Sequence, residues 1–424
     1  MLGIGMRGPL GLDDGHTSSS LNTDPDDGAE RDAWTILAAV DRLGPVAFAA
    51  LIARYGSGRA ILAEGAGTGG VQRLTATPAL DRHDDVRPRA PVTVAVARAI
   101  AEATQTGPRI LSRVRDLDLK VVTVEEAAYP SRLAAIAMPP HVLFVHGSVS
   151  ALDRARAVAV VGTRRPTTGG RALAGRISTA LVGASATVVS GLAFGIDGAA
   201  HEAAVRAGGT TVAVIGGGHA FQSPMTHRRL ADAIVRAGGA VVSEHSPDIP
   251  PSRGTFPRRN RVISALGQAT VVVEAPARSG ALITASWALE QGRGCYLVPG
   301  ALDAPASAGC LAFLREFEGA AHLVAGVPQL IADLGFVDGP TSQNLTGVAA
   351  AAFLDLGPTA MRLGEALVAG QTTVDELIAV LDLPVATVLA GLTLLERRGL
   401  AIGVHGRYRP AGALLGELPP VRLR

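Results

Sequence analysis

AVAVVGTRRPTTGG, residues 157–170, sets the fold: five small or β-branched apolar residues run straight into a glycine turn and then a helical segment. An uninterrupted apolar run of that length fits a strand buried on both faces. The same unit recurs downstream. Apolar runs stand at 187–191 (TVVSG), 211–217 (TVAVIGG), 240–244 (AVVSE), 270–275 (TVVVEA) and 295–300 (CYLVPG). Between them lie helical patterns at Gly170–Val182, Ile196–Ala207, Thr226–Ala237, Arg258–Ala265 and Ala281–Gln291. Strand–helix alternation over this length predicts an α/β fold: an extended Rossmann-like, doubly wound, mostly parallel sheet. Ligands of such sheets bind at the carboxyl ends of the strands, near the point where strand order reverses.

Outward from this block the pattern changes. Residues 1–30 are rich in Gly, Asp, Ser and Thr and read as a disordered leader. Residues 31–90 read as a small helical module of SAM/helix-hairpin-helix-like type, with a break at Leu43-Gly44-Pro45. Such breaks can present backbone amides to a phosphate, although a packing module is the commoner outcome. Gly65 to Pro91 reads as a loop closing that module. The sheet domain is expected over 91–336, opening with a helix at Val92–Leu117 and strands near Lys120 and at His141–Val145. A linker is expected over 337–348 and a winged-helix domain over 349–424. In that last part Thr373 and Glu376 have capping-box spacing, a helix ends at Gly399, and AIGVHGRYR fits a two-stranded wing.

Composition narrows the function classes. The 424-residue chain is 48% hydrophobic and 18% charged, with a formal net charge of only +2, so a nucleic-acid site must be local. Cys295 and Cys310 are too few for a disulfide scaffold or a zinc site and read as reduced thiols. No apolar run reaches the ~18 residues of a membrane span. The N-terminus has no signal-peptide pattern, so a cytoplasmic location is expected. No metal cluster and no nucleophile–base set stands at a credible spacing. A dinucleotide fingerprint and a phosphate-binding P-loop are both missing, which counts against a nicotinamide enzyme and an ATPase.

The strand-end loops carry the candidate site. Gly162, Thr163 and Arg164 leave the first strand, where they fit an anion-facing turn or a helix cap with solvated arginines. Ser190, Gly191 and Gly195 follow the second, with Asp197 and His201 a turn apart; capping plus packing explains that pair better than catalysis. Gly216 and Gly217 follow the third, and Ser279 and Gly280 open a later helix; all seven are candidates for cradling phosphate. SRGTFPRRNRVISALG (252–267) is the most informative loop. Arg253, Arg258, Arg259 and Arg261 surround Phe256, giving cations for a nucleic-acid backbone and a π-face for a base. A solvated basic helix face with Phe256 buried fits the same residues.

Taken in order, VAVVGTRRPTTGG, VVSGLAFGIDGAAH, VIGGG, FPRRNRVISAL and VVVEAPARSGALITASWALEQGR resemble the successive motifs of the DNA-processing protein A (DprA/Smf) family. The resemblance covers Tyr129 to Leu334 strongly and the flanking modules weakly. It implies a single-stranded DNA-binding protein without catalytic activity or cofactor, which loads RecA recombinase during natural transformation and forms a homodimer away from membranes. It implies DNA contacts by Gly162, Thr163, Arg164, Arg253 and Phe256, with Arg258, Arg259 and Asn260 in the same motif. The sequence departs from the family pattern at Ser223-Pro224 and at Gly309-Cys310-Leu311. The competing expectation is a nucleotide-processing enzyme of the lysine-decarboxylase-like type, with Glu274 as acid, but its Pro-Gly-Gly-x-Gly-Thr stretch is missing.

Overall fold

In the computed structural model the described residues are 25–78, 92–221, 225–252, 254–336, 356–404, 406–411 and 414. The expected sheet is present. Its strands are β1 (Lys120–Thr123), β2 (Val142–Gly147), β3 (Ala157–Val161), β4 (Thr187–Ser190), β5 (Thr211–Val214), β6 (Ala240–Ser243), β7 (Ala269–Val272), β8 (Gly294–Leu297) and β9 (His322–Leu323). They line up in the order β1-β2-β6-β5-β4-β3-β7-β8-β9. The seven from β6 to β9 are parallel, and β1 and β2 are antiparallel additions at one edge. β9 is only two residues long, too short to leave a period in the sequence.

Both faces of the sheet are covered. Ala157, Ala159 and Val161 of β3 join one core, and Val158 and Val160 join the other, as period-2 alternation requires. Helices Thr168–Gly183 (α7) and Ile196–Arg206 (α8) pack on the second core through Ile177, Leu181, Ala200 and Ala204. Helices Thr255–Leu266 (α10) and Gly280–Glu290 (α11) pack on the first through Val262, Leu266, Ala285 and Ala288. A shorter helix, Arg228–Arg236 (α9), covers β5 and β6.

The N-terminal helices depart from expectation in three ways. Helix α1 starts at Pro25, inside the expected leader. Glu30 ties it down: its carboxylate accepts hydrogen bonds from Trp34 Nε1 (2.6 Å), the Gly58 amide (2.5 Å) and the Arg59 amide (3.2 Å). The span expected as a loop from Gly65 instead ends one helix, α3 (Gly58–Ala66), and holds another, α4 (Gly70–Thr75); residues 79–91 lie outside the described residues. Finally, Gly44-Pro45 starts helix α2 (Pro45–Tyr55) by N-capping, while the tight hairpin stands one helix later. There Gly56 takes a left-handed φ of 82° and the two helix axes meet at 87°. The amides this hairpin would offer a phosphate are held by Glu30. The long helix Val94–Asp116 (α5) packs into the same core, with Val96 and Ile100 against Trp34, Leu51 and Ile61.

Glu30→Ala leaves the Trp34 indole and the Gly58 amide without their acceptor. Each orphaned donor costs about 1–3 kcal/mol. A fall in thermal midpoint with unchanged sheet far-UV signal is expected, and an unaltered midpoint would remove Glu30 from this role.

At the other end, helices Gly357–Val368, Val374–Leu381 and Val385–Arg397 enclose a separate core of Leu363, Leu377, Val388 and Leu392. The Thr373–Glu376 capping box is formed, and β10 (Ala401–Val404) pairs antiparallel with β11 (Arg407–Pro410). The expected linker at 337–348 and the leader residues 1–24 lie outside the described residues.

Candidate nucleic-acid interface

β3 and β7 are neighbours, yet the chain winds away from them in opposite directions, through β4–β6 and through β8–β9. Their carboxyl ends therefore flank the switch-point crevice. The loops there are tied together. The Thr163 amide donates to the Glu274 carbonyl at 2.7 Å, and the Ile196 amide donates to the Thr163 carbonyl at 3.2 Å. Gly195 has a φ of 84°, and a Cβ there would stand 2.3 Å from the Thr163 carbonyl oxygen, so only glycine fits. Gly162 is required for space: a Cβ would meet Ile196 at 2.5 Å.

The crevice opens into a cleft of about 600 Å³, lined by the Gly162–Arg165 loop, by Phe256, Pro257, Arg259 and Asn260, and by Pro276 and Arg278 to Ala281. A smaller hollow of about 90 Å³ adjoins it, floored by Gly216 and Gly217 and walled by Phe194, Phe221 and Phe256. Arg164, Ala193, Phe256 and Arg259 line both. Arg164 is exposed, and its guanidinium carbon lies 5.3 Å from the Phe256 ring centroid, within cation–π range. Two segments 92 positions apart thus meet as one cation–aromatic pair.

The other motif residues divide between surface and interior. Arg258 is exposed, while Arg259 is 4% exposed. Arg259 Nη1 donates to the Gly191 carbonyl at 2.7 Å and to the Val214 carbonyl, bridging the ends of β4 and β5. Burial lowers its pKa to about 10, against the opposing charge of Asp197. Asn260 Nδ2 donates to the Gly280 carbonyl at 3.1 Å, which joins α10 to α11. Arg261 is buried in an ion pair with Glu244 at 2.6 Å and also donates to the Met138 carbonyl. The arginines at 258–261 therefore turn only part of their charge outward. Arg253 and Ser223-Pro224 lie outside the described residues.

The phosphate-loop candidates also divide. Ser190 Oγ donates to the Val160 carbonyl at 2.6 Å, and the Gly191 amide donates to Asp197 at 3.2 Å, so both are committed inside the protein. Burial raises the Asp197 pKa, opposed by Arg259 and by these hydrogen bonds. Ser279 caps α11 by accepting from the Ala281 amide, and Gly280 lines the cleft. Gly216 carries the Phe256 ring. His201 is wholly buried with Nδ1 2.7 Å from Thr211 Oγ1, a packing position. Glu274 is 7% exposed. Its carboxylate accepts from the Thr167 amide (2.8 Å) and hydroxyl (2.5 Å), and that hydroxyl in turn caps α7. Both carboxylate oxygens are engaged in a helix cap, which disfavours the acid role. Both cysteines are buried thiols, Cys295 pushed up to about 12 and Cys310 to about 11, chiefly by burial.

Three lining residues escaped the sequence reading. Phe194 and Phe221 are exposed by 48% and 46% at the small hollow, and Arg278 lines the cleft. An aromatic in a glycine-flanked strand-end loop, as in GLAFGIDG, was the available signal.

Residues 120–335 match the family model for DNA recombination-mediator protein A. The chain belongs to that family. The DNA processing protein DprA of Bacillus subtilis is 37% identical over 209 residues, covering 49% of this chain and 70% of that protein. The protein Smf of Synechocystis is 33% identical over 346 residues, covering 74% of this chain and 86% of its own length. The X-ray structure of DprA from Streptococcus pneumoniae superposes with a TM-score of 0.57 at 28% identity, over 71% of this chain and 97% of that one. The family match begins at β1 and ends at Gly335, so it contains the whole sheet and both hollows.

Proposed function

We propose that this chain binds single-stranded DNA across the carboxyl edge of its sheet and acts as a recombination mediator without catalysis of its own. The observation that carries the reading is the Arg164–Phe256 pair, set between the two hollows. A guanidinium beside a half-buried ring that lines both hollows offers charge to a backbone and a surface for an unpaired base, a combination duplex DNA cannot use. The engagement of Glu274 in a cap and the burial of His201 support binding without chemistry. Family membership supports the mediator role, with RecA recombinase as partner in natural transformation, a homodimer as the working form and the cytoplasm as the compartment. The C-terminal helices and hairpin suit a winged helix, and helices α1 to α4 suit the accessory helical module.

The test is binding of a labelled single strand, with duplex as comparison, across a salt series. The parent is expected to prefer the single strand and to weaken with salt, because each phosphate contact releases counterions. Arg164→Ala with Arg258→Ala should lower the slope of log K against log salt by about 1.4, roughly 0.7 for each lost single-strand contact. Phe256→Ala should cost about 1–3 kcal/mol, the range for one stacked base. Full affinity in the folded double variant would overturn the site.

A further inference from the structure

On the side of β4 and β5 the small hollow is lined by Gly191, Phe194, Ile215 and Gly216. Phe194, on its rim, meets the His227 ring edge-on, with centroids 5.1 Å apart. His227 Nδ1 lies 3.0 Å from the Leu192 carbonyl, which fixes the start of α9 against the loop after β4. The next two residues, Arg228 and Arg229, are exposed, and neither makes an ion pair among the described residues. From Arg278 at one side of the cleft, aromatic and cationic groups therefore continue across the sheet's carboxyl edge to α9. The edge from β7 to β5 spans three strand spacings, about 14 Å. The track goes on past it.

We infer that Phe194, His227, Arg228 and Arg229 form a second single-stranded DNA contact, an outlet track that takes the strand beyond the Arg164–Phe256 cleft. The inference rests on the single-strand reading of that cleft. The ligand chemistry is a phosphodiester backbone with an unpaired base. Arg228 and Arg229 place two exposed guanidinium groups, without ion pairs among the described residues, on the first turn of α9 for a phosphodiester backbone, and Phe194, 48% exposed against His227, offers ring surface to a base. Arg228 and Arg229 play no part in either core, so their removal leaves the fold intact.

The test compares oligothymidylates of about five and about sixteen nucleotides, within the span of known single-strand site sizes. Arg228→Ala with Arg229→Ala should leave the short oligomer's affinity unchanged. For the long one it should reduce the salt slope by about 1.4. Phe194→Ala should weaken the long oligomer further. An unchanged slope for the long oligomer, or an equal loss for both lengths, overturns the track. Arg164→Ala is the control that separates the two readings. If it weakens both lengths while the α9 variant weakens neither, the track alone falls. If it weakens neither, the cleft reading falls and takes the track with it.

Discussion

Replacing Arg259 by alanine should destabilise the fold by about 3–5 kcal/mol, the range for breaking a buried, hydrogen-bonded charge arrangement. The cause is local. Nη1 is the donor to two strand-end carbonyls, those of Gly191 and Val214, and both lose it together. The variant also leaves Asp197 buried without the cation that favours its charged form. Arg258→Ala, one residue earlier and exposed, should change stability by no more than about 0.5 kcal/mol. The two variants should thus separate in opposite senses: Arg258 in DNA affinity with stability kept, Arg259 in urea midpoint first. Equal midpoints for both would refute the interior role of Arg259. Arg259→Lys should recover only part of the loss, since an ammonium lacks the planar fork.

That contrast also marks where sequence reading ran out. The strands were legible because burial on both faces leaves a continuous apolar run, as in Ala157–Val161. The Thr373–Glu376 box was legible because its partners are three residues apart. FPRRNR gave no local sign that Arg258 faces out while Arg259 and Arg261 face in. The groups that receive them come from distant segments: Gly191, Val214, Glu244 and Met138. The same limit explains Glu274, a lone carboxylate in sequence whose partner Thr167 lies 107 positions away. The pairing of Arg164 with Phe256 was legible in kind, because both loops end parallel strands and such ends share one edge. Its distance was not, since that depends on β7 lying beside β3.

Stability should fall steeply as pH drops below about 6.5. Burial holds His201 down to about 3 and His219 to about 4, and burial with the nearby Arg261 charge holds half-buried His141 to about 4. In the unfolded chain each titrates near 6.5. Between those values the unfolded state binds protons that the folded state refuses, so the stabilisation is complete above about 6.5 and is lost as pH falls toward 4. His201 and His219 should each remove about 1.4 kcal/mol per pH unit in that window, with a smaller share from His141. Half-buried His245, lowered chiefly by desolvation, acts in the same sense. Asp197, with its raised pKa, acts in the opposite sense, since the folded state takes up its proton more readily. Against a total stability of about 5–15 kcal/mol, the histidines dominate and unfolding near pH 5 becomes accessible. Urea midpoints at pH 7.5, 6.5, 5.5 and 4.5 read this directly, and a flat profile between the first three would refute it. His219→Gln keeps a donor for the Phe144 carbonyl but cannot titrate, so its profile should be shallower by about 1.4 kcal/mol per pH unit.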